Sequence, residues 1–190
     1  MRVPLKLRFF YLLSFFYKNN KTPNFSIDIP INVRDGEEFP IKNLENFLRE
    51  RNFENDSLIL KQFPSGYSNL TYFLKSSTKE FVLRRPPYGA KSLKGGHDML
   101  REYNVLRNLK SQFNKVPEVH LYCDKTDVIG APFYIMDRVE GYIIRPNLQH
   151  KDSPGREVIK NISNSLVSTL VELHNVDINK ANLNSLGNVE

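Results

Sequence analysis

Two arginines and a glutamate are of the right types, and fall at the right places, to do chemistry together. Arg84 and Arg85 end the stretch K-E-F-V-L-R-R-P-P (79–87), which reads as a strand stopped by two prolines that cannot donate to a ladder. Glu102 lies in H-D-M-L-R-E-Y-N-V-L-R-N-L (97–109), which reads as a helix. At about 100° per residue, Met99, Tyr103, Leu106, Leu109 and Phe113 form one apolar arc, and Glu102 falls inside it. A charge there is costly unless it is paired. The preceding strand offers the partner: Val82 and Arg84 share one face, Leu83 and Arg85 the other. The alternation lets one arginine point at the helix and leaves open which. A cation held by a carboxylate can meet phosphate oxygens. The plainer alternative is a glutamate at the stripe's edge whose head reaches water.

Two further stretches extend this chemistry. P-S-G-Y-S-N (64–69) is a turn by composition, between two apolar runs. Gly66 would let backbone approach a phosphate, and Ser65, Ser68 and Asn69 carry groups that could donate to one. The same six residues would also serve as an ordinary hairpin turn. F-Y-I-M-D-R-V-E-G (133–141) is a strand running into a polar connector, whose backbone could meet a purine edge. A strand cation, a helix carboxylate and a nearby glycine-containing hairpin form the arrangement by which kinases fix nucleotide phosphates.

The elements that must position these residues follow from periodicity. The spacing predicts a helix over 41–51, with Ile41, Leu44, Phe47 and Leu48 on one side. Strands are expected at 58–63, 70–75 and 81–85, joined by short loops into an antiparallel meander. A helix over about 97–112 follows, then strands at 117–123 and 132–136 around a D-K-T-D turn. A long helix over 154–174 places Val158, Ile162, Leu166, Leu170 and Leu173 on one face. Residues 18–40 read as linker.

Bulk composition bounds the partners. With 190 residues, 40% hydrophobic and 25% charged, the chain matches an ordinary globular protein of one domain or a little more. Its net charge of +6 favours an anionic partner. Nucleic acid is disfavoured, because the basic residues between Arg84 and Lys115 are already claimed by the candidate site and by helix surface. The single cysteine, Cys123, cannot form an intrachain disulfide and points to a reducing compartment, so cytoplasm is the expected location. His97, His120, His150 and His174 are scattered, without metal-ligand spacing. The first acidic residue is Asp28. The basic start and the apolar run Phe9 to Tyr17 leave organellar targeting open, but the run is too short to span a bilayer.

In order and spacing, F-P-S-G-Y-S-N-L-T-Y-F-L, F-V-L-R-R-P-P-Y-G, H-D-M-L-R-E-Y-N-V-L, V-I-G-A-P-F-Y-I-M-D-R-V-E-G and L-V-E-L-H-N-V-D resemble the aminoglycoside phosphotransferase family of small-molecule kinases. The likeness runs from about Leu58 to Gly187 and is greatest to the branch associated with acyl-CoA dehydrogenases. It implies an α+β, protein-kinase-like fold: a leader and linker over 1–40, an antiparallel-sheet N-lobe over 41–136, and a connector with the start of a helical C-lobe over 137–190. It implies ATP and Mg²⁺ as cofactors and a small-molecule hydroxyl as acceptor. It places Arg84 at the phosphate-binding basic position, commonly Lys, and Glu102 at its helix partner. Arg for Lys keeps the charge but changes the geometry to a planar fork. Ser65, Gly66, Ser68 and Asn69 match the phosphate loop, Met136 the back of the adenine pocket, and the Asp137 carbonyl and Val139 amide the adenine contacts.

The departures matter as much. The family's catalytic loop reads H-G-D, followed by a metal-binding Asn and, later, an Asp. Here the histidines precede D-M, L-Y, K-D and N-V. No catalytic base or metal ligand transfers, and relative to the family the expectation is an N-terminal fragment short by on the order of 150 residues. Two readings follow: an ATP-dependent phosphotransferase represented by a piece without its catalytic loop, or a noncatalytic nucleotide-binding or protein-interaction module.

Overall fold

The computed structural model describes residues 29–64, 69–89, 98–141 and 155–184. The chain divides into a sheet unit, Ile29–Arg107 with Pro117–Arg138, and a helical unit built on Asn108–Val116 and Val139–Glu190. Ser65, Gly66, Ser68 and the basic leader lie outside the described residues.

The sheet unit holds α1 (Ile41–Glu50), β1 (Ile59–Gln62), β2 (Leu70–Lys75), β3 (Glu80–Arg85), most of α2 (Met99–Leu109), β4 (Val119–Cys123), α3 (Thr126–Ile129) and β5 (Phe133–Asp137). The strands run in the order β1-β2-β3-β5-β4, every neighbouring pair antiparallel. Short loops make β1–β2–β3 a meander. β5 then slots between β3 and β4, with Arg84 opposite Tyr134.

Alternation gives the sheet two different faces. One face carries Leu70, Tyr72, Leu74, Phe81, Leu83, Phe133 and Ile135, all buried in one cluster with Leu44, Phe47 and Leu48 of α1. The α1 helix forms because its apolar residues recur at helical spacing. Edge-on aromatic pairs join α1 and the residues just before it to the sheet: Phe47 meets Phe133 at 5.7 Å between centroids, and Phe39 meets Tyr72 at 5.1 Å. Burial of each large side chain stabilises by about 2 kcal/mol.

Residues 31–39, which read as linker, are part of this unit. Ile31 exchanges both backbone hydrogen bonds with Gln62, at 2.9 and 2.8 Å. Arg34 donates its backbone N–H to Gln62 Oε1 (2.9 Å), its Nε–H to Glu37 Oε2 (2.8 Å) and an Nη1–H to the Pro64 carbonyl (3.2 Å). Tyr72 donates its hydroxyl to the Glu37 carbonyl at 2.7 Å. Burial acts to raise the Glu37 carboxyl, but the hydrogen bonds from Gln62 and Arg34, with the Arg34 and Arg85 charges, outweigh it and hold the group below its ordinary range.

The D-K-T-D turn contains the single-turn helix α3, closed by Gly130 in the left-handed conformation at φ 81°. A β-carbon at Gly130 would lie 2.9 Å from Tyr88 Cε1, so the position needs glycine twice over. In the helical unit, α4 (Arg156–His174) carries a buried polar residue, Thr169, which accepts from Lys115 Nζ at 3.4 Å. The same amine meets Glu172 Oε2 at 2.6 Å. Val158, Ile162, Leu166, Leu170 and Leu173 are all half-buried, so the expected apolar face is the more covered side of α4.

Candidate functional site

The second face of the sheet carries two side-chain rows, read directly from the register. Thr71, Arg84, Tyr134 and Tyr122 lie opposite one another across β2, β3, β5 and β4, forming a polar row. Phe73, Val82, Met136 and Val119 form an apolar row beside it. The four apolar side chains are buried, with Met136 at 1% exposure.

Of the two candidate arginines, Arg84 faces α2. Its Nε lies 3.2 Å from Glu102 Oε2, and its Nη2–H donates to Oε1 at 3.5 Å. Glu102 is less buried than its place in the apolar arc suggests, with a side chain 32% exposed. The cost of seating the charge is correspondingly smaller. Two neutral donors complete its environment: Asn69 Nδ2–H at 2.8 Å to Oε1, and the Tyr134 hydroxyl at 3.1 Å to Oε2. Asn69 therefore has its amide on the carboxylate and is itself 5% exposed. Tyr134 escaped the sequence reading, although alternation from Met136 in F-Y-I-M-D puts it on this face.

Arg85 points the other way, into the core. It is fully buried, donates to the Pro86 and Ile129 carbonyls at 3.1 Å each, and lies 3.7 Å from the centroid of the Tyr88 ring. One of its terminal nitrogens, Nη2, has no hydrogen-bond partner.

The end of β5 is braced from both sides. His120 is the extra residue of a bulge between Val119 and Leu121, and its Nε2 meets Asp137 Oδ1 at 2.6 Å. The Asp137 amide donates to the Glu118 carbonyl at 2.9 Å. Arg138 pairs with Glu80 and rests over the Phe73 ring at 4.9 Å. Burial acts to raise the Glu80 carboxyl, but hydrogen bonds from Lys75 and Arg138 and their charges hold it below its ordinary range. Val139 begins the helical unit. The structure thus brings Asn69, Arg84, Glu102 and Met136 to one face of one unit, with Asp137 at its edge.

Among the described residues, no group of three or more His, Cys, Asp or Glu side chains could hold a metal ion. No described helix is long and apolar enough to cross a membrane. Cys123, the single cysteine, is buried.

Comparison with known proteins agrees with this geometry. Residues 59–188 match the family model for APH, the phosphotransferase enzyme family. Acyl-CoA dehydrogenase family member 11 of Rattus norvegicus is 35% identical over 162 residues, covering 83% of this chain and 20% of that protein. Acyl-CoA dehydrogenase family member 10 of Mus musculus is 33% identical over 129 residues, covering 67% of this chain and 12% of that protein. The chain thus spans about a fifth or less of the length of these relatives. A crystal structure from Ralstonia eutropha, provisionally named an aminoglycoside phosphotransferase, superposes with a TM-score of 0.64 at 25% identity. That match takes in 80% of this chain and 43% of the other. The fold is therefore α+β and kinase-like.

Proposed function

Because the chain belongs to the APH phosphotransferase enzyme family, we propose that it carries the nucleotide-holding part of an ATP-dependent small-molecule phosphotransferase. The observation that carries this reading is the pairing of Arg84 with Glu102 in a polar row that runs directly beside an apolar one. The guanidinium would meet the α- and β-phosphate oxygens, and Glu102 would hold it in place. The apolar row through Val82 and Met136 would face the adenine, with the Asp137 carbonyl and Val139 amide reading its edge. Ser65, Gly66 and Ser68 would serve the phosphates. ATP, when bound, supplies the transferable phosphoryl group. The relatives named as acyl-CoA dehydrogenases favour a hydroxyacyl-type acceptor over an aminoglycoside. The reducing chemistry expected for a lone buried cysteine suits the cytoplasm.

The 190 residues contain no His-Gly-Asp tripeptide. The base and metal ligands of the family's reaction would then come from residues outside this sequence. The second reading is a nucleotide-binding module without catalysis.

Calorimetry with ATP on the whole chain tests the proposal. The folded wild type should bind ATP saturably. Glu102→Ala should weaken that binding about tenfold, equivalent to about 1.4 kcal/mol, with a smaller loss of thermal stability. Equal losses would make Glu102 merely structural, and no saturable binding would remove the nucleotide reading. With Mg²⁺ present and no partner, the purified chain should transfer no phosphate. Transfer would refute the need for outside residues and rule out the module reading.

A further inference from the structure

We propose that Asn69 and Tyr134 are positioning residues that lock Glu102 in its working place, independently of the arginine it serves; the inference rests on the nucleotide reading above. Distances order the contacts. The neutral donors stand at 2.8 and 3.1 Å from the carboxylate, while the Arg84 nitrogens stand at 3.2 and 3.5 Å. Each carboxylate oxygen has one neutral donor of its own. Both donors are rigidly seated, Asn69 at 5% and Tyr134 at 2% exposure. They arrive from different elements, Asn69 just before β2 and Tyr134 in β5 directly opposite Arg84. Tyr134 also meets the Tyr103 ring, next to Glu102 on α2, at 6.4 Å between centroids.

Hydrogen bonds from buried neutral donors to a carboxylate are strong and directional. They fix Glu102 to the sheet at two points that do not involve the cation. In protein kinases the equivalent ion pair is made and broken by movement of the helix. Here α2 is held in by the sheet itself, so Arg84 can turn toward a phosphate without releasing its carboxylate. The site is assembled before nucleotide arrives.

The test uses the whole ¹⁵N-labelled chain without nucleotide. Solvent exchange of the Arg84 Nε–H should quicken about tenfold in the double variant Asn69→Ala/Tyr134→Phe, the loss expected for about one charge-assisted hydrogen bond. Tyr134→Phe alone removes one oxygen, keeps the ring packing and should show a smaller change in the same direction. In Arg84→Met, amide exchange along α2 should stay as in the wild type. Unchanged Arg84 exchange in a folded double variant would overturn the lock. So would loosening of α2 in Arg84→Met, since the cation would then be what holds the helix. ATP calorimetry on the wild type is read separately: failure to bind would end the nucleotide reading while these exchange outcomes still judge the lock.

Discussion

Arg84 and Arg85 are neighbours on one strand, yet they live in different surroundings. Arg84 keeps a side chain 20% exposed and answers to a carboxylate. Arg85 has no exposure and answers to two carbonyls and a tyrosine ring. A carboxylate balances charge and can hold a cation at a rim where an anion arrives. Carbonyls and a ring hold a guanidinium geometrically and use it to join β3 to the end of α3. Alternation alone sends the two side chains to opposite faces. What each face offers decides whether the cation serves a site or a fold.

The comparison breaks most visibly at the buried residue. Arg85→Ala should cost about 3 kcal/mol in urea unfolding, because two buried carbonyls lose their donors and a void opens beneath Tyr88. ATP affinity per folded molecule should stay within about twofold. Arg84→Met should show the converse: about tenfold weaker ATP binding, with stability changed by less than about 1 kcal/mol. If both variants lose stability and affinity alike, the two arginines are not divided as proposed.

Two smaller effects sharpen the contrast. Gly130→Ala should destabilise by about 1–2 kcal/mol, through its positive φ and its approach to the tyrosine that stacks on Arg85. Thermal melts would show it, and nucleotide affinity should not move. The weakest effect is on pH. Glu37, near Arg85, and Glu80, under Arg138, both sit below the ordinary value of 4.5. Their stabilising contribution is complete above that value and is lost as pH falls through their lower folded values. Urea midpoints at about pH 7 and about pH 4 should therefore differ less in Glu37→Gln and Glu80→Gln than in the wild type. Wild-type slopes in both variants would remove these carboxylates from the acid response.

The elements that repeat were legible in sequence. β2 runs over Leu70–Lys75, the bounds expected of it, and α1 stops within a residue of its expected end. Glu102 was singled out because a charge inside an apolar arc has to be explained by a partner, while alternation left Arg84 and Arg85 open and only the resemblance named Arg84. What escaped has no period. Four residues of α3 are too few to show helical spacing. Residues 31–39 hold the sheet through side chains that meet Gln62 and Tyr72, far along the chain. Tyr134 reaches Glu102 across a separation of 32 residues, a contact that only the strand order creates.

That strand order also sets a sequence of events in time. The β1–β2–β3 meander joins neighbours in the chain and can close early, since short loops cost little entropy. β5 pairs with β3 only after the long stretch carrying α2 and β4 has been brought round. Until it does, Arg85 lacks the Ile129 carbonyl and Glu102 lacks the Tyr134 hydroxyl. The arrival of β5, with α3 just before it, thus delivers the last partner of Arg85 and of Glu102. A nascent chain would acquire its staple and its site together, in one late step.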